Sequence, residues 1–259
     1  MKRLPISVSM ISGAEAGRIG RTLESVVGWT SEIVVVLNED MRDGTEELAQ
    51  QRGAQVFRES WKGYAVQKNS AQAKASQPWV LGLDADEVVS PELCQEIQAL
   101  FTAPGRLEPF AAFDFPRLTM FGGRWIRHGD WYPNRGTRLW RRGRAEWGGG
   151  QVHEKLQVNG AIGKLRGNLL HYTAARIGDQ LPKIITYSDE FVRDALQQHR
   201  RTSWLDLAIR PGWRFLRAYF LRLGFLDGWQ GYYIAWMTAF ETVTRYAKLR
   251  EAQADSLKR

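Results

Sequence analysis

Two aspartates one residue apart, Asp84 and Asp86, follow directly on the apolar run Trp79-Val80-Leu81-Gly82-Leu83. Such a run reads as a strand covered on both faces. In an open α/β sheet ligands gather at the carboxyl ends of strands, so the pair stands where chemistry is done. Two carboxylates there can hold a hard divalent cation, Mg²⁺ or Mn²⁺, through one or two oxygens, leaving the remaining positions to water and a substrate phosphate. A second chemistry open to the same residues is phosphoryl hydrolysis, with Asp84 as nucleophile. A purely structural role, capping the helix that starts at Pro91, needs one acid and leaves the other unexplained. Two further signals fail on spacing. Gly13, Gly17 and Gly20 do not make the dinucleotide fingerprint, and His153-Glu154 lacks a histidine at position 157, which is Gln157.

Proton transfer needs a carboxylate within hydrogen-bond reach of the reacting hydroxyl. Residues 106–170 hold five acids, Glu108, Asp114, Asp130, Glu146 and Glu154, which keeps the candidates few. Asp130 precedes Trp131-Tyr132 in a loop beside Gly129, and Glu154 follows Gly148-Gly149-Gly150. The same region carries seven arginines between 124 and 144, Arg135 and Arg138 among them. Guanidinium groups are bidentate donors for phosphate or carboxylate, and Trp131 and Tyr132 offer flat faces to sugar rings. Together they predict an anionic partner for this region.

Regular elements must place these groups. Ile6, Val8 and Met10 alternate within a strand over Leu4–Ile11, and Ile19, Leu23, Val26 and Val27 fit a helix over Glu15–Val27. Ile33–Leu37 is a buried strand. Asp43 with Glu46 predicts a capping box on a short helix closed by Gly53. Ala54–Phe57 is a brief strand, Tyr64–Ser76 a helix stopped at Pro78, and Trp79–Leu83 the next strand. Strands alternating with helices predict a parallel sheet with right-handed crossovers. Short β pieces follow at Phe113–Met120, Arg138–Arg141 and Gln151–Val158, and from Gln180 the pattern predicts two or three helices.

The chain of 259 residues carries a net charge of +8, unevenly spread. Residues 1–105 hold 10 Lys and Arg against 14 Asp and Glu, whereas 106–170 hold 12 against 5 and 200–259 hold 11 against 5. That pattern predicts an anionic partner for the middle and the tail. Hydrophobic content of 44% excludes a disordered chain, and the single Cys94 excludes a disulfide scaffold or a cysteine zinc site. The longest uncharged stretch, Gly228–Phe240, is too short to span a bilayer, and the first residues lack a signal-peptide core. A cytoplasmic chain is expected. A pI near 9.7 raises the alternative of a non-catalytic nucleic-acid-binding module. No recognised nucleic-acid motif accompanies it, so no nucleic acid is expected.

Taken in order, Ile6–Glu15, Leu23-Glu24-Ser25-Val26, Glu32–Val36, Asp43-Gly44-Thr45, Gln67-Lys68-Asn69 and Trp79–Glu87 resemble the family 2 glycosyltransferases of the GT-A fold. Further runs narrow the likeness: Trp131–Arg135, Arg138–Arg142, Val152-His153-Glu154, His171-Tyr172, Gly224–Gly228 and Arg245–Leu249. These resemble the branch that adds glucose or a related sugar to the lipopolysaccharide inner core. Haloacid-dehalogenase-type phosphatases also place Asp-x-Asp after a strand, but after their first, and with a later acidic pair that this chain lacks.

The resemblance implies an α/β, Rossmann-like, mostly parallel GT-A sheet with a helical carboxyl-terminal extension. Residues 1–105 would bind the nucleoside diphosphate sugar, a UDP-linked hexose; 106–175 would bind the acceptor and catalyse; 176–259 would form the basic, aromatic extension. It implies Glu15 and Asp43 near base and ribose, Lys68 near base or phosphate, Asp84 near the ribose, and Asp86 on the metal. His171 would complete the metal site or serve as a structural histidine. Glu154 becomes the expected base, with Asp130 the alternative. Arg135, Arg138, Trp131 and Tyr132 would meet a lipid-linked saccharide acceptor. Two departures stand out. Leu37-Asn38-Glu39-Asp40 lacks the acid that the family usually sets beside the nucleobase, which leaves the base open, and Asn134 stands where the branch often has Asp.

The tail has its own pattern. Residues 204–240 contain eleven of the thirty aromatic residues, and Arg210, Arg214 and Arg217 recur at the spacing of one helix face. Rings beside guanidiniums predict peripheral attachment to the anionic inner face of the cytoplasmic membrane, with the arginines on lipid phosphate. The competing reading packs the same aromatics onto the transferase part or into a homodimer.

Overall fold

The apolar runs become the central strands of a computed structural model that describes residues 3–103, 105–149, 154–173 and 177–256. First come β1 (Leu4–Ser12), α1 (Ile19–Glu24), β2 (Thr30–Asn38), α2 (Thr45–Gln51), β3 (Gln55–Glu59), α3 (Tyr64–Ala73) and β4 (Trp79–Asp84). Then follow β5 (Glu87–Val89), α4 (Pro91–Thr102), β6 (Ala112–Phe121), β7 (Arg124–Ile126), β8 (Asn134–Arg141), β9 (Ala145–Gly149), β10 (Glu154–Val158), β11 (Ile162–Lys164) and β12 (Leu169–His171). The last helices are α5 (Ile177–Gln197), α6 (Trp204–Leu216) and α7 (Gly228–Ser256). Parallel pairing links β3, β2, β1 and β4, with Val8 opposite Ile33 on one side and Leu81 on the other. Beyond β4 the direction changes. Leu81 pairs antiparallel with Leu139 of β8, and the order continues through β6 and β12 to β5. The fold is the expected α/β sheet, parallel from β3 to β4 and mixed beyond, followed by helices.

Contacts divide the chain into two compact units, Met1–Arg117 with Arg135–Tyr172, and Leu118–Asn134 with Thr173–Arg259. Residue 175, an expected boundary, lies outside the described residues. The first unit is built on Ile6, Val8, Met10, Leu23, Val35, Leu81, Leu93 and Phe115, all fully or almost fully buried. Burying each such side chain contributes about 1.5–3 kcal/mol before entropy is counted. In the second unit Phe121, Ile126 and Ile234 form a small core. There the buried Asp227 carboxylate accepts the backbone N–H groups of Arg127 and His128 at 3.0 and 2.8 Å, tying the 118–134 loop to the helices.

Three local readings change. The helix expected over Glu15–Val27 is regular only at Ile19–Glu24, because turns at both ends already bury Ile19, Leu23 and Val26. No capping box forms at Asp43. Gly44, in the left-handed region at φ +90°, takes the cap position, so Asp43 stands one residue outside the helix. Its oxygens accept the Thr45 and Ala16 N–H groups at 3.1 and 3.0 Å, pinning the loop after β1 to the loop after β2. Glu46 instead takes the Arg58 guanidinium. Finally, the β piece expected at Gln151–Val158 is strand from Glu154 and pairs with β9 in a separate ribbon; residues 151–153 lie outside the described residues.

Candidate active site

The parallel strands β1, β2 and β4 end on the same edge of the sheet, and the chemistry-bearing residues meet there. A cavity of about 440 Å³ opens at that edge, lined by Ser12, Gly13, Glu15, Asn38, Lys68, Asp84, Asp86 and Glu154, with Trp61 and Tyr64. That size suits a nucleotide-scale ligand. A larger hollow of about 850 Å³, lined by Asn69, Gln72, Trp140, Arg144 and Gln157, contains neither aspartate of the pair.

Lys68, brought in by α3, is the hinge of the charge arrangement. Its Nζ stands 3.0 Å from Asp84 Oδ1 and 2.9 Å from Glu154 Oε1, and it lies 4.6 Å above the Trp147 ring. On the other side Arg138 Nη2 lies 3.0 Å from Asp84 Oδ2 and 2.9 Å from Glu87 Oε1. Glu87 is fully buried; its Oε2 accepts the Asp84 N–H at 3.1 Å, and Arg117 approaches Oε1 at 3.4 Å. Both Asp84 oxygens are therefore taken by cations. Burial alone would raise the Asp84 pKa, but Arg138 and then Lys68 hold it well below the usual carboxylate range. Arg138 shows the reverse balance. Burial works to lower its pKa, yet Glu87 and Asp84 push it up, so the guanidinium stays charged.

Asp86 sits on the turn between β4 and β5. Thr22 Oγ1 donates to the Ala85 carbonyl at 2.8 Å, and the Tyr172 N–H donates to the Asp86 carbonyl at 2.9 Å, which fixes that turn. The Asp86 carboxylate lies 3.2 Å from His171 Nε2 and 3.9 Å from Arg18 Nη1. Arg18 also pairs with Glu15 at 2.7 Å. Burial first, and then the Asp86 charge, raises the Glu15 pKa against the opposing Arg18. Among the described residues no three histidine, cysteine or acidic side chains converge on one point. The pair Asp86 and His171 supplies one hard oxygen and one imidazole, a set that fits a divalent ion completed by diphosphate and water.

Glu15, Lys68, Asp84, Asp86 and Glu154 thus line one cavity, and His171 adjoins it through Asp86. Others lie elsewhere. Asp43 is engaged by the loops that it joins. Arg135 is held by the Asp114 carboxylate and donates to the Leu165 carbonyl at 2.8 Å, so it braces the sheet where an acceptor contact was expected. Arg138 belongs under Asp84, again away from its expected acceptor role. Asp130, Trp131 and Tyr132 fall in the second unit. Trp131 packs edge-on against Phe121, with ring centroids 5.3 Å apart. Asp130 is closed in by Arg217, Arg222 and Arg214 at 2.8, 3.1 and 3.3 Å. Two of the arginines expected to face lipid are therefore occupied by the alternative base, and Arg210 pairs with Asp206. The sequence reading missed Glu87, Arg18 and Trp147 as partners of the site. Glu87 had a signal as an acid beside the aspartate pair, and Trp147 as one of the aromatic residues among the arginines of 124–144 and just beyond them.

The chain has relatives. The description Glycosyl transferase family 2 matches residues 7–153. An uncharacterized glycosyltransferase of Rickettsia prowazekii is 33% identical over 97% of this chain and 88% of its own length. The lipopolysaccharide core biosynthesis glycosyltransferase LpsC of Rhizobium meliloti is 30% identical over 98% of both chains. Among solved structures, mannosyl-3-phosphoglycerate synthase from Rubrobacter xylanophilus superposes with a TM-score of 0.50 over 76% of each chain at 16% identity, a likeness of fold.

Proposed function

This chain belongs to glycosyl transferase family 2, and from that premise we propose that it moves a hexose, with inversion, from a nucleoside diphosphate to a lipid-linked saccharide of the lipopolysaccharide core, working at the inner face of the cytoplasmic membrane. The observation that carries the reading is the meeting of Asp84, Asp86, Lys68 and Glu154 in one cavity at the carboxyl end of β4. The end-to-end likeness to LpsC supports the choice of acceptor class. A uridine diphosphate hexose is the donor to test first.

In this reading Lys68 and Arg138 orient Asp84, which accepts from the ribose hydroxyls of the donor. Asp86 and His171 would hold Mg²⁺ or Mn²⁺, which would supply Lewis-acid neutralisation of the charge on the leaving group. Glu154 accepts the proton of the attacking hydroxyl. Its partner Lys68 keeps it in place until the acceptor arrives and carries positive charge toward the donor phosphates.

Thermal shift with UDP, with and without Mn²⁺, followed by hexose transfer to core lipid, tests the proposal. UDP should raise the melting temperature of the wild type more with Mn²⁺ than with EDTA. Asp86→Asn should lose that difference and the transfer while remaining folded, because the site lies at a strand end. Equal UDP binding in EDTA with full transfer by the variant would overturn the metal role. Phosphorylation of Asp84 by phosphate esters would mark the hydrolytic alternative instead.

A further inference from the structure

Helix α6 is amphipathic with its apolar face uncovered, and α7 carries apolar residues on its exposed side as well as its buried one. Among the described residues, fifteen of the twenty-four exposed large hydrophobic side chains fall within residues 204–243, which makes this one concentrated patch and not scattered surface. On α6 and the π-helical turn at Arg217–Leu221 that continues it, Ile209, Trp213, Leu216 and Phe220 follow one stripe at helical spacing. On α7 the stripe is Trp229, Tyr232, Trp236 and Phe240, while Ile234, Ala235, Thr238 and Ala239 are buried on the other side. Phe215 joins the two helices, with its ring 4.7 Å from Trp236 and 6.1 Å from Tyr232. The stripes therefore lie side by side as one plateau.

We infer that this plateau inserts into the interface of a phospholipid bilayer, so that attachment is made by aromatic and aliphatic side chains and not by the arginine row. The inference deepens the proposed function, resting on its lipid-linked acceptor. Three observations select lipid as the occupant. The plateau is rich in tryptophan and tyrosine, whose rings prefer the headgroup level. No described helix is long and apolar enough to cross a membrane, so the plateau lies in the interface plane. Charge is the third. Asp227 and Asp130 are shielded, at 2% and 7% exposed, and Asp206 and Glu241, at 20% and 30%, are each paired with an arginine. Arg210 and Arg124 remain 52% and 51% exposed beside their acids, so arginines outnumber acids at the edge. A cationic rim complements anionic headgroups. A two-fold contact with a second copy would set that rim against itself. Arg214 and Arg217, closed onto Asp130, hold the hairpin to the Gly129–Trp131 turn beneath and are not the anchor.

Co-sedimentation with neutral phosphatidylcholine vesicles, and with the same vesicles carrying phosphatidylglycerol, tests the inference on the full chain. The wild type should pellet with both and remain bound at about 1 M salt, where charges are screened within ~3 Å. Its tryptophan emission should shift to the blue on binding. Ile209, Trp213 and Leu216 are 61%, 54% and 49% exposed and lie outside the ring contacts that join the two helices, so the triple change to Gln should fold with little change in melting temperature. That variant should partition at least about tenfold less. Pelleting only with the anionic vesicles and release by salt would overturn insertion in favour of arginine attachment. Failure to bind either vesicle would also overturn it, and light scattering showing a dimer broken by the triple change would identify a second copy as the occupant. Mn²⁺-dependent UDP binding is measured on the same preparation. Its survival without lipid binding removes this inference alone, and its absence with lipid binding intact removes the donor reading alone.

Discussion

Lys68 is shared between two carboxylates at 3.0 and 2.9 Å, so altering either one changes the setting of the other. Glu154→Gln keeps the side-chain volume and a hydrogen bond to Lys68 but cannot accept a proton at neutral pH. It should lower kcat by about 10²–10⁴ with UDP affinity little changed, as read by steady-state kinetics and titration. A variant with wild-type kcat would remove Glu154 from the reaction. A second residue sets a pH limit. Glu59, at the end of β3, is hydrogen-bonded by Lys74, accepts from Ser70 at 2.8 Å and pairs with Lys62 at 3.1 Å. Lys74 foremost brings its pKa down from 4.5 to about 2. Because the folded state favours the ion, the stabilisation is complete above the unfolded value near 4.5 and is lost as the pH falls toward 2. Denaturant midpoints should drop across that window, and Glu59→Gln should flatten the drop. Parallel curves for the two proteins would show that another group controls acid unfolding.

At the scale of elements, the position of Asp84 depends on how closely β4 and β8 approach. A Cβ at Gly82 would come within 2.6 and 2.9 Å of the Trp140 ring, and Trp140 is fully buried on the neighbouring strand. Moving an almost fully buried ring gives up its packing. Gly82→Ala should cost about 1–3 kcal/mol and shift the strand end two residues before the aspartate. Calorimetry and UDP titration should show a lower melting temperature together with weaker binding. Stability like that of the wild type would mean that Trp140 has room the structure does not show. Helix α4 illustrates the opposite case, an element specified locally. Ser90 accepts the Leu93 N–H at 3.2 Å with Pro91 at the first helical position, a start signal visible in the chain itself.

At the scale of the whole molecule, the net charge of +8 is less available than its total suggests. One nearly buried carboxylate, Asp130, takes three guanidiniums that are about a third to a half exposed. Asp130→Asn would leave those three cations facing one another without compensation. The expected loss is about 1–3 kcal/mol, less than for a fully buried pair because water screens the arginines. It should appear as a lower melting temperature without the kcat loss expected of Glu154→Gln. A large fall in kcat with unchanged stability would return the role of base to Asp130.

The alternation of strands and helices, the strand ending at the aspartate pair and the family likeness were all legible in the sequence, because hydrophobic period and motif spacing are local quantities. Of the residues that line the cavity, Asp84 and Asp86 were legible from the strand before them, Glu15, Lys68 and Glu154 came from the family likeness, and Trp61 and Tyr64 carried no signal. Partners were not legible. Arg135 meets Asp114, Arg138 meets Asp84 and Glu87, and Arg214 and Arg217 meet Asp130, over separations of 21 to 87 residues. Helical spacing set Arg210, Arg214 and Arg217 on a common face, but what covers that face depends on which loop the tertiary structure lays against it. A long cationic side chain reaches several ångströms and takes whichever carboxylate packing brings near. Only the folded chain decides, therefore, which charges are available to a ligand and which apolar stripe is left in the open.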